Sequence, residues 1–291
     1  MNTPTTTTRS VATVVSPIHT REGEGFPVRR PFPTPDLAFL DPFLMVDQVG
    51  PVQLARGEAK GAPPHPHRGF ETIAYVLEGD IEYADSEGHR GVVPPGAVQW
   101  LTAGSGIVHS AMPTAGFLAS GGRQHNLQIW VNLPSRLKGI APRTQNHGAD
   151  AIPVVRIEDG SRLKVIAGRT HGVTGPFDTH VPVLVAHATL APRSTVRLPI
   201  AQGHNAAVYV LAGSANASGT ELPDGHLGVL ADDGDAVDLT GGPAGADVLF
   251  LTGEPIGEPV VRSGPFVMNA KDEIAQAYAD YAAGRMGFLA G

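Results

Sequence analysis

Two stretches of this chain echo each other. "YVLEG" begins at Tyr75 and "YVLAG" at Tyr209, 134 positions later. Further on, "PPGAVQWLTAG" (Pro94 to Gly104) and "DDGDAVDLTGG" (Asp232 to Gly242) share the pattern G-x-x-x-x-L-T-x-G, now 138 positions apart. A spacing that grows by four fits a longer loop in the second copy. An internal repeat of this kind points to two copies of one small unit. A chain of 291 residues is long enough for each half to bury its own core.

Both copies read as β-structure. "ETIAYVLEG" (Glu71 to Gly79), "GVVPPGAVQWLTAG" (Gly91 to Gly104), "NLQIWVNL" (Asn126 to Leu133) and "VPVLVAHATL" (Val181 to Leu190) are rich in β-branched and aromatic residues. The chain spreads 36 Gly and 26 Pro between such runs, the punctuation of short strands in a sandwich or barrel. The loop-like "IAPRTQNHGADAIP" (Ile140 to Pro153) is where the copies would part, giving residues 1–145 and 146–291. One helix is expected, in "NAKDEIAQAYADYAAG" near the C-terminus. Asn269 stands at its N-cap, Asp272 and Glu273 in its first turn, and Gly284 at its end. Ile274, Tyr278 and Tyr281 recur at helical spacing and read as a packing stripe.

Charge and composition exclude several classes. The formal net charge is −7, without the basic footprint of a nucleic-acid binder; "PVRRP" (Pro27 to Pro31) is too small a pair to change that. The Thr-rich start lacks the pattern of a signal peptide, and no apolar run approaches the roughly 18 residues of a membrane span. A cytoplasmic protein is expected. There is no cysteine, so a transition-metal site has to rely on His, Asp or Glu.

The sequence offers such a site. In "HPHRGFETIAYVLEG", His65 and His67 share one side of a strand, because side chains alternate. Pro66 between them cannot donate to a ladder and belongs at an edge, a strand start or a bulge. His109, in "TAGSGIVHSAMP", follows a Gly-rich turn and opens another strand. Neutral imidazoles suit iron, copper, nickel or zinc. In the second copy the two spacings above put Pro199, Ala201 and Asp247 where the first has His65, His67 and His109. Residues needed only for packing should recur in both copies, so the trio reads as a site. The alternative is a chance His-x-His among 12 histidines; His89, His147, His171 and His226 lie in turn-like contexts and read as solvated.

"HPHRGFET", "LEG", "PGAVQWLTAGSGIVHS", "LQIWVNL", "LDPFLMVD" and "GEPVVRSGPFVMNAKDEIAQA", in that setting, resemble the pirin family over nearly the whole chain. The resemblance implies an all-β bicupin, two face-to-face β-barrels (double-stranded β-helices) with a short C-terminal helix. The N-terminal barrel would hold a mononuclear divalent metal and the C-terminal barrel none. Iron(II) is the first expectation, with nickel, copper or manganese as alternatives. His65, His67 and His109 would be ligands. It further implies quercetin 2,3-dioxygenase-like chemistry on a small aromatic or enol substrate with O2, or else a regulatory role through a protein partner. One position departs from the pattern: the family's glutamate two residues after the third histidine is Ala111 here. Glu71 shares the parity of His65 and His67, as in H-x-H-x-x-x-E. It stands as a substitute ligand, a base for the substrate hydroxyl, or a group that orients an imidazole. A bulge at Gly69 would turn it away.

Overall fold

The computed structural model describes residues 7–157 and 159–289. It is mostly strand. In one compact unit a seven-stranded sheet runs in the order Arg143–His147, Val98–Thr102, Phe70–Glu78, Gly122–Asn132, Phe43–Leu54, Phe26–Phe32, Ile18–Glu22. A four-stranded sheet of the same unit runs Ala62–His67, Ile107–Met112, Ile81–Asp85, Arg90–Val93. Phe43, Phe70, Ile73, Trp100, Ile107, Leu127 and Ile129 are fully buried in this unit. The other unit has a nine-stranded sheet centred on the long strands Asn205–Ala217 and Ala236–Gly253. Its core is aliphatic: Val165, Leu198, Val208, Val210, Leu222, Val237 and Val248 are all buried, with Phe250 among them.

A single cut between residues 145 and 146 does not describe the units. The histidine-bearing unit comprises His19–Arg30, Pro42–Ala149 and the described residues from Ile256 onward. The other takes Pro31–Asp41, Asp150–Pro255 and the described residues up to Ile18. The chain does cross near the expected boundary, between Ala149 and Asp150, but its ends are exchanged. The reason is strand pairing. Val11–Val15 forms hydrogen bonds along Leu227–Leu230, covering what would otherwise be an open edge.

The repeat is real, but its second block is shifted. Val76 and Gly96 exchange backbone bonds around a tight turn (Gly96 N–H to Val76 O, 2.7 Å; Val76 N–H to Ala97 O, 3.2 Å). Val210 and Gly225 do the same (Gly225 N–H to Val210 O, 2.9 Å; Val210 N–H to His226 O, 3.0 Å). Tyr75 lies opposite Val98, and Tyr209 opposite Leu227. The counterpart of "PPGAVQWL" is therefore "PDGHLGVL", starting at Pro223, not "DDGDAVDL". The shared G-x-x-x-x-L-T-x-G letters fall on non-equivalent strands. Ladder geometry, not residue identity, sets the correspondence.

The C-terminal helix spans Lys271–Ala282. Its N-cap is Ala270, one residue later than expected. Glu273 reaches back to accept from the backbone N–H groups of both Asn269 and Ala270, at 2.9 Å each. The buried face is Ile274 with Ala277; Tyr278 and Tyr281 are about two-fifths exposed. Tyr278 packs its ring edge-on against buried Phe266 at 4.9 Å and shares its hydroxyl with Ser263. Gly284, at φ 73°, ends the helix in the left-handed region.

Candidate metal centre

The site is built from two antiparallel neighbours. Ala62–His67 is the outer strand of the four-stranded sheet and pairs with Ile107–Met112. Three prolines, Pro63, Pro64 and Pro66, fit an outer strand that lacks a second ladder. The register puts His109 directly opposite His65, and His67 opposite Ile107. The ladder shifts between His109 and Ala111, where three residues of the outer strand oppose two.

The imidazoles converge. Ring centroids are 4.7 Å apart for His65 and His67, 4.4 Å for His65 and His109, and 4.8 Å for His67 and His109. One donor nitrogen of each lies within 4.8 Å of the others. His65 Nδ1 sits 2.7 Å from Pro63 O and His67 Nδ1 sits 3.4 Å from Pro265 O. Those carbonyls fix Nδ1–H on both rings and leave Nε2 as the lone-pair atom. The two Nε2 atoms are 3.1 Å apart. His109 Nε2 is buried without a hydrogen-bond partner. Nitrogen lone pairs gathered this closely, one of them orphaned, fit a bound divalent cation.

Burial pushes all three imidazoles below the usual histidine range, His67 and His109 most strongly, and their neighbouring rings add to the effect on those two. They are neutral at pH 7, the state that ligates. A consequence concerns metal-free protein. Below about pH 6.5 the unfolded chain takes up protons on these histidines before the folded chain does, so stability falls as pH falls. Each imidazole that stays neutral in the folded chain steepens the fall by at most about 1.4 kcal/mol per pH unit. Urea midpoints of chelator-treated protein between pH 7.5 and 5.5 will show this loss. A His65→Gln, His109→Gln double variant is expected to flatten it.

Glu71 does not join the cluster. Ala62–His67 ends four residues before it, and Gly69 turns the chain at φ 86° into a different sheet. Parity across that bend is lost. The turn is tight: a Cβ on Gly69 would stand 2.0 Å from Val267 O. Glu71 is fully buried opposite Thr102, whose hydroxyl donates to Glu71 Oε1 at 2.7 Å. At position 111, alanine supplies no donor. Among the described residues, the metal-capable group is His65, His67 and His109 alone. Of the histidines expected to be solvated, His89 and His171 are exposed, His89 also pairing with buried Asp85 at 2.9 Å, while His147 on its strand and His226 are partly buried.

In the second unit the corresponding rung carries no histidine. The pair equivalent to His65 and His109 is Arg197 opposite Asp238, and Pro199 stands for His67. Arg197 and Asp238 form a two-pronged ion pair at 2.7 and 2.8 Å. The positions expected from the shifted repeat, Ala201 and Asp247, lie elsewhere; Asp247 bonds His187 and Thr189.

A cavity of about 500 Å³ opens beside the histidines, with His65, His67, Met45, Trp130, Asp47 and Arg262 in its wall. Trp130 packs edge-on to His67 at 5.3 Å, and Arg262 lies over the indole at 4.4 Å. Arg30 grips Asp47 with two bonds of 2.6 Å and Glu22 with one of 2.5 Å. None of these polar residues was singled out as a site residue from sequence. "PVRRP" was the available signal: a basic pair alternating along a strand, with one arginine aimed at the next strand's Asp47.

The comparisons agree with this architecture. The Pirin family model matches residues 25–131, and the Pirin C-terminal cupin domain model matches residues 185–287. A pirin-like protein of Arabidopsis thaliana is 41% identical over 293 residues, covering 97% of this chain and 92% of that protein. Human pirin is 37% identical over 273 residues, covering 92% and 90%. A crystal structure of quercetin 2,3-dioxygenase from Acinetobacter baumannii superposes with a TM-score of 0.91 at 33% identity, covering 98% and 100%. With both of its cupin domains matched and its strands in the same arrangement, this chain belongs to the pirin family.

Proposed function

We propose that the chain is a metal-dependent dioxygenase that opens a flavonol or related enol with O2, acting in the cytoplasm. The observation that carries this reading is the convergence of three neutral imidazoles, two of which, His65 and His67, line a cavity large enough for a small aromatic molecule. His65, His67 and His109 would hold the metal, with iron(II) the first expectation and nickel, copper or manganese the alternatives. When bound, such a metal supplies Lewis acidity and electron transfer toward O2.

The chain's own residues do the rest. Pro63 O and Pro265 O fix two imidazoles in the ligating tautomer. Ala111 leaves the ligand set without a carboxylate, so the site carries about one more positive charge than a three-His, one-Glu site. It therefore favours a substrate bound through a deprotonated hydroxyl. Phe26, Val28, Met45 and Trp130 line the cavity with apolar surface that flanks a planar ring and excludes water. Glu71, outside that lining, is assigned a positioning role: through Thr102 it anchors the strand that follows His67. A cavity beside the histidines is also what separates this reading from a regulator that works through a protein partner.

The test is metal content and turnover. Protein purified without chelator should hold close to one metal per chain and, when loaded, consume quercetin with release of carbon monoxide. Ala111→Glu should retain metal at least tenfold longer on dialysis. No turnover with iron, nickel, copper or manganese rejects the enzyme.

A further inference from the structure

Arg262 is the cationic side chain of the cavity wall that makes no hydrogen-bonded ion pair among the described residues. Arg30, the neighbouring guanidinium, is engaged through Nε and Nη2 with Asp47 and Glu22. Asp47 in turn is held on both oxygens by that one arginine. Arg262 forms no hydrogen bond to a carboxylate among the described residues: it has the face of Trp130, a long 3.7 Å contact to Met45 Sδ, and only a longer-range attraction to Asp47 and Glu22, which Arg30 already binds. It is solvent-exposed, and it lines the same cavity as His65 and His67. A guanidinium stacked on an indole keeps its N–H edge free, because stacking uses only its face. That edge is a fork suited to a carboxylate or another planar oxyanion.

The distance is set by the stack. The guanidinium is 4.4 Å from the indole centroid, and the indole is 5.3 Å from the His67 ring. Together these cap the gap between Arg262 and His67 at about 10 Å. A ligand of two fused rings bridges such a gap.

We propose that Arg262 is a specificity residue: the cavity selects planar aromatic ligands that carry a carboxylate at the end remote from the histidines. The inference rests on the proposed function for where the reacting end of the substrate lies, and its test does not. The probes are 2-naphthoate and its neutral analogue 2-naphthamide, titrated calorimetrically into chelator-treated full-length protein, so that ligation cannot supply the preference. Wild type should bind the carboxylate at least tenfold more tightly. Arg262→Gln should remove that preference, weakening the carboxylate far more than the amide. Arg262→Lys keeps the charge but not the planar fork, and should retain part of it. Added salt should erode the wild-type preference and leave Arg262→Gln unaffected. Thermal midpoints within a few degrees of wild type would establish that both variants fold. If Arg262→Gln is lost to misfolding, Arg262→Lys and the salt series decide. Equal affinity for the two probes, no detectable binding of the carboxylate, or an equal loss for both probes in Arg262→Gln overturns the proposal. Failure of quercetin turnover alone would count against the dioxygenase and leave this preference standing.

Discussion

His67→Ala is expected to cost the chain its divalent metal. In a calorimetric titration with nickel(II), wild type should take up one equivalent. The variant should bind at least 100-fold more weakly, a loss of about 2.7 kcal/mol. Of the three candidate ligands, His67 has the least slack. It is 3% exposed, its Nε2 stands 3.1 Å from that of His65, and Phe70 and Trp130 pack edge-on against its ring at 5.0 and 5.3 Å. Among the described residues no carboxylate groups with the three histidines: position 111 is alanine, Glu71 lies beyond the Gly69 bend, and Asp47 and Glu22 in the cavity wall are held by Arg30. Two imidazoles on one strand-pair rung would remain, too few for a stable site of this kind. A second readout separates ligand loss from general damage. Saturating nickel should raise the wild-type thermal midpoint, since a ligand at 100 times its dissociation constant stabilises by about 2.7 kcal/mol. The variant's midpoint should not move. Unchanged affinity in His67→Ala would place the metal elsewhere.

How far the sequence announces this site depends on which interaction does the positioning. His65, His67 and His109 could be grouped because two of them obey strand alternation and the third opens a strand after a Gly-rich turn. The strands themselves were legible for the same reason: β-branched runs bounded by glycine and proline. What failed were inferences that needed a register. Glu71 shares the parity of His67, but parity holds only within one strand, and Gly69 moves the chain into another sheet. The second repeat block was matched on letters, whereas the backbone bonds of Gly96 and Gly225 align different segments. That slip hid the more telling substitution, in which an Arg197–Asp238 ion pair occupies the rung that His65 and His109 occupy in the other unit. Exchange of the chain ends was illegible as well, because an edge strand's partner is chosen by tertiary pairing. Arg262 was visible only as a letter in a matching motif; its role depends on Trp130, 132 positions earlier.

The same turn at Gly69 yields the largest expected effect on stability. Lys138 is 3% exposed, and its ammonium donates to Gly69 O at 2.6 Å, Asn132 Oδ1 at 2.7 Å and Val267 O at 3.1 Å. One cation thus ties the bend after His67 to the segment carrying Pro265 and Arg262. Burial pushes this lysine down to about 8. Its folded pKa lies below the unfolded value, so the ionised form carries a desolvation cost of about 3 kcal/mol at neutral pH. That cost is relieved as pH rises from about 8 toward 10.5. Lys138→Met removes it, but strands three oxygen acceptors at roughly 1–3 kcal/mol each. The acceptors outweigh the cation, and a net loss of about 3 kcal/mol is expected at pH 7. Urea denaturation should show it as an earlier transition of the histidine-bearing unit. Between pH 8 and 10 the wild type should gain a contribution that the variant lacks, so the gap should widen. A variant as stable as wild type at both pH values would mean that water replaces the ammonium at all three oxygens. The Gly69 bend, and with it the spacing of His67 from Pro265, would then be held by packing alone.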